Sequence, residues 1–266
     1  MSTPTLIDLV VLLAIGLVLP LALGGRAWWW ATAFGSAAVA MQLPTGASAL
    51  LIAPLGAAVV GATWERARSL GAPRSWPLAG AARVAAGGWA LVAAGALAQS
   101  RAGLALVGVH EPIVELTAVH YSYAGAAALV LAATRLEARP GWPARLAVIV
   151  TATAPPLVAL GFVTGEALPQ VGGAVLMAVG VCTTAACELA AVVAGGSHGV
   201  RRGLLAMSGL AVWIPMVLAV AWAAGQHWHV PALSIPDMAR THGVANALAF
   251  VLCGLLAAHT ARGVER

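Results

Sequence analysis

Ile113-Val114-Glu115-Leu116-Thr117-Ala118-Val119-His120-Tyr121-Ser122-Tyr123-Ala124-Gly125-Ala126-Ala127-Ala128-Leu129-Val130-Leu131-Ala132-Ala133-Thr134 decides the fold. It runs for about 20 residues without an arginine or lysine, the length an α-helix needs to cross a bilayer. Its first half carries Glu115, His120 and both tyrosines of the chain. An ionisable group inside hydrocarbon costs about 2.5–3.5 kcal/mol on insertion scales. Such residues face a bundle interior and are candidates for function by default. One helix therefore names both the environment and a possible site.

The rest of the chain agrees. Of its 266 residues 61% are hydrophobic and 9% charged, and the mean hydropathy is +0.91. An ordinary soluble domain is about 25% charged. Nine apolar segments recur, at 5–24, 27–44, 46–63, 82–99, 113–134, 145–163, 167–195, 203–225 and 239–261. The expectation is an all-α polytopic bundle, a single integral membrane domain over 1–266, with eight or seven spans as alternatives. The first segment has no basic stretch before it and reads as a retained helix rather than a cleaved signal.

The net charge of +5 does not indicate nucleic acid, because the fourteen basic residues, all arginine, gather at segment ends. With the N-terminus outside, the inner loops hold Arg26, Arg66, Arg68, Arg74, Arg83, Arg135, Arg139, Arg145, Arg201, Arg202, Arg262 and Arg266. The outer side keeps Arg101 and Arg240. That asymmetry is the positive-inside pattern, with N-out, C-in and an odd span count. Gly103–Val109 reads as an extension of the fourth helix or a re-entrant stretch. Cys182, Cys187 and Cys253 have no metal-type spacing and read as small core residues. Tryptophans at segment ends read as interface anchors. Trp89, Trp213 and Trp222, within spans, are candidates to line a cavity. Pro155-Pro156 predicts a break in the sixth span, and Pro215 a lesser kink in the eighth.

At about 100° per residue, Glu111, Glu115, Ala118, Ser122 and Gly125 share one face of the fifth helix, and His120 and Tyr123 the other. A second polar cluster opens the ninth helix at Asp237, Arg240, Thr241, His242 and Asn246. His242 and Asn246 stack four apart. Asp237 reads either as an acid or as a partner of the helix N-terminus. Arg240 reads as paired with a carboxylate such as Asp237 or Glu111, or as binding an anionic head group. Glu166, His227 and His229 fall at the same outer level. Glu188, in the seventh helix, must be protonated, paired or hydrated. It reads as an interhelical hydrogen-bonding group or as a proton carrier.

Leu116–Gly125 resembles the "TAVHFHYAG" segment of the YndJ-like family of bacterial integral membrane proteins, and Thr241–Ala247 resembles its "THG-x-x-NA" segment. The resemblance spans about 110–260, with Ser122 standing where the family has a second histidine. It implies that Thr117, His120, Tyr123, Thr241, His242 and Asn246 belong to one shared pocket. In size and span number the chain also resembles noncanonical membrane terpene cyclases. It has no aspartate-rich motif for ionising a diphosphate.

The expected function is a proton-initiated cyclase or isomerase of a lipid-soluble, prenyl-type substrate, in the inner (plasma) membrane. Catalysis is assigned to Glu115, His120, Tyr123, Glu188, Asp237, His242 and Asn246, with one carboxylate as general acid. Substrate binding is assigned to Glu111, Thr117, Tyr121, Trp213, Trp222 and Thr241, the aromatics facing carbocations. The reading calls for no cofactor, no metal and no nucleic acid; its partners are the substrate and the lipid bilayer. Two other readings stay open: a proton-coupled small-molecule transporter and a membrane assembly or accessory protein.

Overall fold

A computed structural model of the chain describes residues 3–105, 108–195 and 198–264. It is 85% helical, with no strand among the described residues. Nine helical rods follow one another there. They are α1 (Thr5–Leu23), α2 (Ala27–Gln42), α3 (Ala47–Leu70), α4 (Leu78–Ala102), α5 (Ile113–Ala138), α6 (Trp142–Thr164), α7 (Ala167–Val193), α8 (Gly199–Gly225) and α9 (Ile235–Thr260). Each covers one of the nine apolar segments. Eight are long and apolar enough to cross a membrane. The exception is α2: 16 residues make about 24 Å of helix, short of a hydrocarbon core of about 30 Å. It is cut short at its start by Gly24 and Gly25, both at positive φ. At its end Leu43 is held extended by Pro44.

The helices are not uniform. Tighter 3-10 geometry opens α3 at Ala47–Ile52. Wider π turns occupy Ala14–Val18 in α1, Tyr121–Ala127 in α5, and Ala239–Gly243 with Ala245–Leu252 in α9. Such turns use i→i+5 spacing, are rare, and are often found at functional sites. Here they fall on both polar motifs. Helix α4 ends at Ala102, with Gly103 at φ 71° closing it, so Gly103 does not extend it. Residues 106–107 of that stretch lie outside the described residues.

The prolines act differently from expectation. Helix α6 runs unbroken through Pro155 and Pro156. Instead α8 is interrupted at Val212, between Gly199–Ala211 and Trp213–Gly225. Pro215 supplies no N–H there for the Ala211 carbonyl. The continuity of α6 has a packing cause: α6 and α7 form the most extensive helix pair in the chain. A Cβ on Gly161 would overlap the Gln170 backbone, and one on Gly173 would lie 2.7 Å from the Val158 nitrogen. Small residues bring the two backbones together, and that contact holds α6 as a helix across the prolines.

The chain divides into two compact units, Met1–Val130 and Leu131–Arg266. In the first, α1–α4 pack with the start of α5. One end is tied by Arg26 and Glu65, 3.4 Å apart, with Arg26 over the Trp29 ring. The opposite end is tied by hydrogen bonds to backbone carbonyls. The Gly46 N–H donates to the Arg101 carbonyl at 2.8 Å, and Arg101 Nη2 donates to the Leu43 carbonyl at 2.7 Å. In the second unit α6–α9 pack with the last turns of α5.

Candidate functional site

In the first unit the predicted site gains an unpredicted member. The Glu115 side chain hydrogen-bonds the carboxyl of Asp8, on α1. Glu111 and Arg101 are close enough to act on the same group electrostatically. Glu111 is exposed, and its Oε2 accepts from the Glu115 backbone N–H at 3.2 Å. That bond serves one of the donors a helix start leaves unpaired. The Asp8–Glu115 bond has a chemical consequence. A carboxylate is acceptor-only, so two carboxyl groups bond only when one of them carries a proton. The pair joins two membrane-spanning helices, α1 and α5.

Further along α5 the π turn redirects the side chains. A regular helix puts His120 and Tyr123 on one side; the structure separates them. His120 is exposed, and its Nδ1–H donates to the Leu116 carbonyl at 2.8 Å. Tyr123 is 5% exposed, and its hydroxyl donates to the Val10 carbonyl at 3.0 Å. The wider i→i+5 turn starting at Tyr121 is the cause. The π segments of α1 and α5 pack against each other, and the Tyr123–Val10 bond ties the same two helices. Tyr121 packs on Trp89, ring centroids 5.6 Å apart. Gly125 admits Trp89, whose Cβ would sit 3.0 Å from a Cβ added there. Thr117 is turned inward on its own helix, its hydroxyl donating to the Ile113 carbonyl at 2.8 Å.

In the second unit the cluster on α9 is assembled around the break in α8. His242 Nδ1–H donates to the Pro215 carbonyl at 2.8 Å. Asn246 Nδ2 donates to the His242 carbonyl at 2.8 Å. The Asn246 Oδ1 is buried with no hydrogen bond among the described residues. Thr241 donates to the Asp237 carbonyl at 2.7 Å. Asp237 itself is half exposed and opens the helix. Its Oδ2 accepts from Ser234 Oγ at 2.6 Å, while its N–H donates to Ser234 Oγ at 3.3 Å. Arg240 pairs with Asp237 at 3.9 Å, the first of its expected partners. These contacts are the helix-start role of Asp237. Gln170, 4% exposed, is bonded to His227 Nε2 at 2.8 Å.

The aromatic assignments separate. Trp222 packs near Phe162, centroids 6.3 Å apart. Trp213 is 44% exposed, its indole N–H donating to the Gly209 carbonyl at 2.9 Å. It sits on the surface of its unit rather than enclosed in a cavity.

Glu188 is fully enclosed, and neither of its oxygens has a hydrogen bond among the described residues. Ser208 is within hydrogen-bonding reach of it, and the Ser208 hydroxyl gives its own hydrogen to the Phe250 carbonyl at 2.8 Å. Arg135 is the nearest opposite charge acting on it. Arg135 and Arg83 were assigned to inner loops; both are 5% exposed and lie within α5 and α4.

Thus six of the predicted site residues, Glu111, Glu115, Thr117, His120, Tyr121 and Tyr123, belong to the first unit. Seven, Glu188, Trp213, Trp222, Asp237, Thr241, His242 and Asn246, belong to the second. Asp8 and Arg135 were missed. Asp8 had a signal: a lone acid in the span of highest mean hydropathy, 2.8. Arg135 had none beyond its place at a helix end.

Searches of curated proteins and of solved structures return no significant match. A family model described as YndJ-like protein matches residues 4–250. That match takes in Asp8 as well as both motifs, and the chain belongs to the YndJ-like family.

Proposed function

We propose that this multi-pass membrane protein is an acid catalyst acting on a lipid-soluble, prenyl-type substrate in the inner (plasma) membrane. The observation that carries the reading is the contact between the Asp8 and Glu115 carboxyls on two apolar helices; in this reading the two share one proton. Glu115 delivers that proton to a substrate alkene or epoxide. Asp8 positions it and shares the remaining negative charge. The carbocation formed rearranges or closes a ring. A carbon-bound proton then returns to the carboxyl pair, so the product is an isomer of the substrate and no cofactor is consumed. The Tyr121 and Trp89 rings supply π faces of the kind that stabilise a cation. Tyr121 lies six residues beyond Glu115, about 9 Å along the helix axis. An open apolar groove between α1 and α2, lined among others by Leu9, Leu13, Gly16 and Phe34, lies on the same helix as Asp8, though neither carboxyl lines it.

The test supplies membranes containing the protein with prenyl alkenes and terminal epoxides, followed by mass spectrometry and NMR. The expected result is a product of unchanged mass and altered skeleton, lost in Asp8→Asn and in Glu115→Gln with expression retained. Product formation unaffected by both substitutions overturns the reading. Proton-driven uptake of a solute with no new product replaces it with transport.

A further inference from the structure

Glu188 and its neighbours form a polar cluster that the reaction assigned to the first unit does not use. Four elements contribute. Glu188 and Cys187 come from α7, Arg135 from the end of α5, Ser208 and Arg201 from α8, and Cys253 from α9. Arg139 also acts on Cys187.

Three facts do not fit a finished ion pair. Glu188 is 0% exposed, yet both its oxygens lack a hydrogen bond among the described residues. Arg135 is 5% exposed, and its Nε has no hydrogen bond there either. The two act on each other electrostatically, but no N···O approach within 4 Å joins them. A buried pair offsets its desolvation only with close geometry and filled hydrogen-bonding capacity. Here the acid and the base are set apart, with unfilled capacity on both. The Ser208 hydroxyl, within reach of Glu188, gives its hydrogen to the Phe250 carbonyl. That carbonyl belongs to the π segment Ala245–Leu252.

We propose that Glu188 is a proton-binding site in the second unit, bridged to Arg135 by internal water and separate from the Asp8–Glu115 pair. A buried polar site with two to four partners is where an internal water is stable. Water in the gap receives a hydrogen bond from the Arg135 guanidinium and donates to a Glu188 oxygen. The oxygen that faces the water takes up a proton delivered through it and gives it back to the water, which passes it on to solvent. Only an O–H bond forms and breaks, and no oxidant or reductant is needed. Arg201 adds a second positive charge at the same end, acting on Arg135. Its guanidinium and that of Arg135 assist release of the proton from Glu188.

The test uses the whole protein in membranes and dicyclohexylcarbodiimide, a lipid-soluble reagent that modifies protonated carboxyls in apolar surroundings. Adducts are located by peptide mass spectrometry. The expected result is an adduct on Glu188, at least about threefold more abundant at acidic than at alkaline pH. Arg135→Gln changes the pH at which labelling is lost, a readout that a packing role for Arg135 would leave in place. Absence of adduct at Glu188 over the whole range, with Glu115 or Asp8 labelled in the same sample as control, overturns the proposal in favour of a fixed ion pair. Protection of Glu188 by sodium or potassium at constant pH overturns it in favour of a metal-cation site. The wild-type measurement alone decides, so a variant that fails to fold leaves the proposal testable. Loss of the acid-catalysis reading does not touch it, because the two sites share no residue.

Discussion

The two units solve the same problem in opposite ways. Each places carboxyl groups in helices that composition marks as membrane-spanning, half-buried in the first unit and fully buried in the second. The first unit puts acid beside acid, Asp8 with Glu115, and keeps Arg101 at electrostatic distance. The second puts acid near base, Glu188 with Arg135, without closing the pair. An acid–acid contact can exist only with a proton in it. An acid–base arrangement can exist with or without one. On the proposed reading the first arrangement stores a general acid, and the second exchanges its proton.

The comparison breaks most sharply on the first unit. Asp8→Asn and Glu115→Gln should each lower turnover by about 10²–10⁴, the usual worth of general acid–base catalysis. Product yield per unit of membrane protein measures it. The second unit is next. Arg135→Ala removes the guanidinium that acts directly on Glu188; breaking a buried pair in this way costs up to about 3–5 kcal/mol. Thermal unfolding in detergent should show a strong loss. Replacing both Arg135 and Glu188 by methionine should recover most of it; if the double variant is as weak as Arg135→Ala, the two groups are not coupled. A smaller effect separates Asp237 from the other acids. Ser234→Ala removes the capping contacts at the start of α9, worth about 1 kcal/mol. The smallest is His242→Ala, which deletes the bond to Pro215; one interhelical hydrogen bond in a membrane protein averages about 0.6 kcal/mol.

Much of this architecture is legible in the sequence, for a physical reason. Hydrocarbon forces a helix and sets its length, so every apolar segment from 5–24 to 239–261 has a rod over it. Glu115 and Glu188 stood out as acids in such segments. What was not legible depends on departures from regular geometry. The wheel that paired His120 with Tyr123 assumes 3.6 residues per turn, and the π turn at Tyr121–Ala127 violates it. Pro155-Pro156 looks like the stronger break, yet the close glycine contacts between α6 and α7 decide otherwise. Asp8 was legible in principle by the same rule that picked out Glu115. Its partner was not, since a contact between residues 107 positions apart leaves no periodicity to read.

The central claim is that Asp8 and Glu115 act as one acid. A double-mutant cycle on product formation tests it most directly, comparing Asp8→Asn, Glu115→Gln and the two combined. Groups that work as a unit are strongly non-additive. The account predicts that the combined variant is no slower than the worse single one. Losses that multiply would show two independent groups and contradict it.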